Sequence, residues 1–109
     1  MNSEISIYLD KFDEKTKERF HTLYELINES TSEHIVEKMW AKLPSFYVGK
    51  KFIRIIIFKD HINIEANAIL NYRNKLSSYK LTPKGMLQIF HNQQIPQQLL
   101  RVIFKETLD

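Results

Sequence analysis

The chain has 109 residues, with 16 Lys and Arg against 13 Asp and Glu, and 43% of it is hydrophobic; that is the core of one domain and no more. It holds no cysteine and only two glycines, which excludes disulfides, thiolate metal sites, thiol nucleophiles and a glycine-rich phosphate loop. The first residues lack the cationic start and apolar stretch of a signal peptide, and the longest apolar run, Phe52 to Phe58, contains Arg54 and is far too short for a membrane span. A single cytoplasmic domain over residues 1–109, without a membrane partner, is expected.

Ile5, Tyr8, Leu9 and Phe12 recur at helical spacing, with Ser3 placed as their cap. Asp13 reads as the N-cap of a second, longer helix whose buried stripe is Phe20, Leu23, Tyr24 and Ile27. Ser30-Thr31-Ser32 ends it. From Val36 the period becomes that of a strand, and Pro44 predicts a bend or an edge. Phe46 to Val48, a turn at Gly49-Lys50-Lys51, Phe52 to Phe58, a turn at Lys59-Asp60 and His61 to Ala66 follow as antiparallel strands. The strand from Phe52 is apolar on both faces apart from Arg54, so it is expected to be central and covered on each side. An inserted helix over Asn67–Leu76 carries Ile69, Leu70, Arg73 and Leu76 on one side. A last strand spans Met86 to Phe90, and a closing helix begins at Pro96 and buries Leu99, Leu100, Ile103, Phe104 and Leu108. The expected fold is α+β in two layers: an antiparallel sheet of about five strands, with two N-terminal helices, one inserted helix and a C-terminal helix.

Four constellations carry possible chemistry. Glu14, Glu18, His21, Glu25 and Glu29 lie within a sector of roughly 80° on the second helix, opposite its apolar stripe. Carboxylates and an imidazole suit ferrous iron, manganese or zinc, although a solvated helix face explains the same pattern. His61, Asn63 and Glu65 share one strand face and could meet a metal or small ligand, as simple alternation also requires. Trp40, Phe46, Tyr79 and Lys84 are expected to line a groove or subunit contact if one sheet face is open, with core packing as the plainer reading. Lys50, Lys51, Arg54 and Lys59 form a basic hairpin, but the modest net charge and the acidic second helix argue against a nucleic-acid partner. No serine sits in a glycine elbow with a His or Asp neighbour implied by spacing, so no enzyme is expected.

The stretches Trp40-Ala-Lys-Leu-Pro-Ser-Phe46, Phe58-Lys-Asp-His-Ile62 and Tyr79-Lys-Leu-Thr-Pro-Lys-Gly85, followed by Ile95-Pro96, resemble the YdhG-like domain family, domain-of-unknown-function family 1801. The likeness runs from about Ile5 to Leu108. It implies a small α+β fold near the frataxin-like and YjbR-like domains, and some bacterial members of the family are described as frataxin-like intracellular iron chaperones. On that footing, the expected function is weak, exchangeable binding of ferrous iron by Glu14, Glu18, His21 and Glu25, with delivery to an acceptor protein. The alternative is a metal-free module, monomeric or weakly homodimeric, that binds a small ligand or a protein through the groove of Trp40, Phe46, Tyr79 and Lys84.

Overall fold

The side chain of Asp13 accepts a hydrogen bond from the Thr16 amide at 2.8 Å and starts the longest helix, α2 (Glu14–Glu29). The computed structural model describes residues 1–109. α2 buries Phe20, Leu23, Leu26 and Ile27, the stripe expected from spacing with Leu26 added and Tyr24 at its margin. Ahead of it, α1 (Ser3–Leu9) is capped by Asn2 and not by Ser3: the Asn2 Oδ1 accepts from the amides of Glu4 and Ile5. α1 ends at Leu9, so Phe12 lies beyond it, its ring 5.4 Å from that of Tyr8.

Six strands follow: β1 (Val36–Trp40), β2 (Leu43–Val48), β3 (Lys51–Ile57), β4 (His61–Ala66), β5 (Lys80–Leu81) and β6 (Leu87–Phe90). They form one antiparallel sheet in the order β1-β2-β3-β4-β6-β5. The sixth strand is β5, two residues on the outer edge of β6, too short to leave a periodic trace. Pro44 lies inside β2 and not in a bend. Pairing of β2 with β3 begins at Ser45, so Leu43 and Pro44 face ladder partners only on the β1 side, and β2 is in effect an edge at its first two residues.

The hairpin turns are tight. Ala41 and Lys42 join β1 to β2 with φ of 50° and 66°, the left-handed pair that an I′ hairpin requires and that neither residue prefers. Gly49, at φ 62°, takes the first central position between β2 and β3, where a glycine fits the II′ form.

Between β4 and β5 runs a 3-10 helix, Asn67–Leu76, kinked at Tyr72. Its tighter winding changes which residues share a face: Ala68, Ile69 and Leu76 are buried, whereas Leu70 and Arg73 are exposed. The last helix, α3 (Gln97–Leu108), has Pro96 as its N-cap and not as its first helical residue.

Core-facing residues of the sheet are Phe46, Ile53, Ile55, Ile57, Ile62, Ile64, Ala66, Leu87 and Ile89, all buried with the apolar stripes of α1, α2, α3 and the 3-10 helix. Phe20 and Tyr24 of α2 reach the Phe46 ring, at 6.5 and 5.8 Å between centroids. The Thr107 hydroxyl on α3 accepts from the Ala68 amide and donates to the Ile103 carbonyl. All the helices therefore lie on one side. The expectation that β3 is covered on both faces fails: its second face is shielded by long side chains of the sheet itself.

Candidate functional site

Strand register decides what the open face carries. Lys38, Ser45, Arg54 and Glu65 stand side by side across β1 to β4, and Val36, Tyr47 and Phe52 form the next row. Arg54 is the centre. It is only 5% exposed on a face that no helix covers. Its Nε donates to the Ser45 Oγ at 2.9 Å, one terminal nitrogen donates to the Tyr47 hydroxyl at 2.9 Å, and the other to the Glu65 Oε1 at 3.0 Å. Its guanidinium carbon lies 4.0 Å from the Trp40 ring centroid and 4.2 Å from that of Phe52. A buried cation needs both a counter-charge and hydrogen-bond acceptors to offset its desolvation, and the cross-strand neighbours supply both. The planar guanidinium suits this double packing against rings in a way an ammonium does not.

Around this centre the face is aromatic and basic. Trp40 is 52% exposed, Phe58 42% and Val36 47%, so three of the large exposed apolar side chains share one face. The Lys38 Nζ sits 4.5 Å from the Tyr47 ring centroid. Val36, Lys38, Trp40, Lys50 and Phe52 line a shallow hollow of about 690 Å³ beside Arg54, and no carboxylate lines it. Beyond Phe52 and Lys50, which both hollows share, lies a second of about 440 Å³ that includes Lys84, Asn67, Glu65 and Glu106. Both carboxylates there are already engaged, Glu65 by Arg54 and Glu106 by the Asn71 amide and the Tyr72 hydroxyl. Those two donors hold Glu106 below the ordinary carboxylate range. Lys50 and Lys84 have no carboxylate within 4.0 Å.

At the far end of the face, Phe58 stacks on His61 with centroids 4.4 Å apart, and His61 bonds Asp60 at 2.6 Å. The bond from His61 depresses the Asp60 carboxyl. His61, Asn63 and Glu65 share this face, as their alternation predicts, but act separately: Glu65 holds Arg54, His61 packs on Phe58, and the buried Asn63 Oδ1 has no partner.

The expected groove does not assemble. Phe46 is fully buried on the core face, because the β1–β2 turn puts Ser45 and Tyr47 on the open side. Tyr79 is half-buried and donates its hydroxyl to the Gln94 carbonyl, and it lines neither hollow. Lys84 borders the second hollow and Trp40 the first, so Trp40 alone of the four lies in the aromatic hollow. Lys38 and Phe52, and the convergence of Trp40, Tyr47 and Glu65 on Arg54, are what sequence reasoning missed. The one signal was an arginine inside an otherwise apolar strand.

On α2, Glu14, Glu18, His21 and Glu25 are all exposed. Glu14 pairs with Lys17 at 3.6 Å, whereas Glu18, His21 and Glu25 have no ion-pair partner. From Glu14 to Glu25 the helix axis advances about 16 Å, so only neighbouring pairs of donors can meet one ion. Nowhere in the chain do three His, Asp or Glu side chains converge as a metal would need. No helix is long and apolar enough to cross a membrane. No family model, curated protein or solved structure matches the chain.

Proposed function

We propose that this chain is a non-catalytic binding module that takes a flat, anionic ligand on the open face of its sheet. One observation carries the reading: Arg54 is held by three neighbouring strands under an exposed tryptophan, in a hollow lined by cations and rings and by no carboxylate. Guanidinium covers one face of the indole. With a cation already there, the ring's free face favours an electron-rich or anionic planar group over a second cation. The metal-free, cytoplasmic ligand-binding module expected from the sequence thus has a different groove, at Trp40, Arg54 and Phe52.

Amide NMR of the labelled protein tests this, with adenosine monophosphate and salicylate as flat anionic probes. Shifts confined to Lys38, Trp40, Tyr47, Phe52 and Arg54 are expected. Shifts scattered over the surface, or none at millimolar probe, would refute it.

Weak exchangeable iron binding on α2, the role implied by the likeness to YdhG-like domains, is a second reading. It has the solvent-open, unpaired Glu18, His21 and Glu25 in its support. Anaerobic titration with ferrous iron would broaden the amide signals around those residues, and Glu18→Gln with Glu25→Gln would abolish the effect. Uniform or absent broadening removes this reading.

A further inference from the structure

We propose that the ligand of the open face is single-stranded nucleic acid, with bases stacking on Trp40 and on Phe58 and phosphates passing Lys38, Lys50 and Lys84. This rests on the binding reading above and narrows it to a ligand class. Trp40 and Phe58 are the two exposed rings of the face, one on β1 and the other at the β3–β4 turn. Unpaired bases stack on such rings at little sequence cost, while in a duplex the base faces are already occupied.

The cations are free to meet phosphate. Lys38, Lys50 and Lys84 make no ion pair, and the two carboxylates of the neighbouring hollow are bound by other groups. Two hollows joined at Phe52 and Lys50 give room for more than one nucleotide, with Phe58 beyond both of them. The acidic helix that argued against this partner lies elsewhere. The strands and their turns, residues 36–66 and 80–91, hold eight Lys and Arg against three Asp and Glu; the rest of the chain holds eight against ten. Glu14, Glu18 and Glu25 point away from the stripe that α2 presses onto the core, so the acidic face of α2 lies on the side of the molecule away from the open sheet face.

A second copy of this chain fits the face poorly, since an isologous contact would set the basic patch of Lys38, Lys50 and Arg54 against the same patch of the other copy. An acidic peptide would match the charge and leave the two rings unstacked.

Trp40 is the only tryptophan, so its fluorescence reports contact directly. The intact protein would be titrated with the 12-mers rU12 and dT12, a 12-base-pair DNA duplex, uridine monophosphate and oligoglutamate. Quenching by rU12 or dT12 is expected, and which of them binds tighter tells RNA from DNA. Three phosphate contacts imply an affinity falling about 20-fold between 50 and 200 mM salt. Lys50→Ala keeps the fold and should flatten that dependence. Trp40→Ala, followed with a labelled strand, should weaken binding by about tenfold or more. Equal binding of duplex, an unchanged Trp40→Ala protein, or self-association that alone accounts for the quenching would overturn the proposal. Quenching by uridine monophosphate with no gain from the 12-mers would overturn it too, while leaving the binding reading intact, and quenching by oligoglutamate alone would overturn both. No quenching by any probe removes both.

Discussion

Replacing Arg54 by methionine keeps an unbranched side chain of similar length and removes the charge. Three effects then compete. Two ring contacts at 4.0 and 4.2 Å are lost, worth roughly 0.5–2 kcal/mol each, and sulfur packing on the same rings returns about 0.3–1.5 kcal/mol. The bond to Glu65 is charge-assisted and would ordinarily count for about 1.5–3 kcal/mol. That side chain is 37% exposed, so it rehydrates when the arginine leaves and the loss shrinks towards the value for surface pairs, about 1 kcal/mol or less. Against these stands the desolvation that a buried guanidinium no longer suffers. The net loss expected for Arg54→Met is about 1–2 kcal/mol, or a thermal midpoint lower by roughly 5–10 °C. Glu65→Gln should cost a similar amount for the opposite reason, since it strands a buried cation without its counter-charge. The double variant contains no charge to strand. In urea unfolding it should be less destabilised than the two single losses together by about 1 kcal/mol. Losses that add within about 0.3 kcal/mol, or a neutral Arg54→Met, would show that the cation and carboxylate are mere neighbours.

Phe46→Ala should cost about 3–5 kcal/mol because that ring is fully buried against Phe20 and Tyr24; Trp40→Ala at the half-exposed site should cost far less, and equal losses in denaturant unfolding would contradict the assignment of faces. Ala41→Asn with Lys42→Gly puts preferred residues at both left-handed positions and should stabilise the hairpin by about 1–2 kcal/mol, a gain that thermal unfolding would show or deny. For Asp13, the Thr16 amide depresses the folded-state carboxyl, so its contribution is present above the ordinary carboxylate value, near 4, and is lost as pH falls through the depressed one. Asp13→Asn keeps the cap and cannot titrate. Its thermal midpoint should therefore fall less steeply than that of the parent protein below about pH 4, and parallel curves would refute the link.

Much of the fold was legible where chemistry is local. The Asp13 cap, the α2 stripe, the alternation of β4 and the apolar face of α3 need only neighbours in sequence. The failures on the open face trace to one turn and one kind of information. Ala41-Lys42 lacks the Asn or Gly that announces an I′ hairpin, so the β1–β2 connection was hidden. A side-chain period of two means that an unplaced turn leaves the facing of the next strand undetermined, and Phe46 was assigned to the open face while Ser45 and Tyr47 occupy it. Arg54 stood out as a cation in an apolar strand. Its partners lie on three other strands, and register among four strands is not written in any local pattern. On α2 the donor types were legible and their spread along the axis was too; spacing on one helix cannot by itself close a coordination sphere.

The edges of the sheet have a bearing on how the molecule behaves in a crowd. One edge is β5, two residues long and opened by a lysine. The other is β1, where the Asn2 side chain donates to the Glu37 carbonyl and the Asn2 amide to the Glu37 carboxylate, occupying a position that an incoming strand would use. Open ladders are where sheets of separate molecules join end to end and grow without limit. With both ends blunted, this sheet can show a broad, sticky, partly apolar plane to its surroundings and still stay countable, one plane per chain.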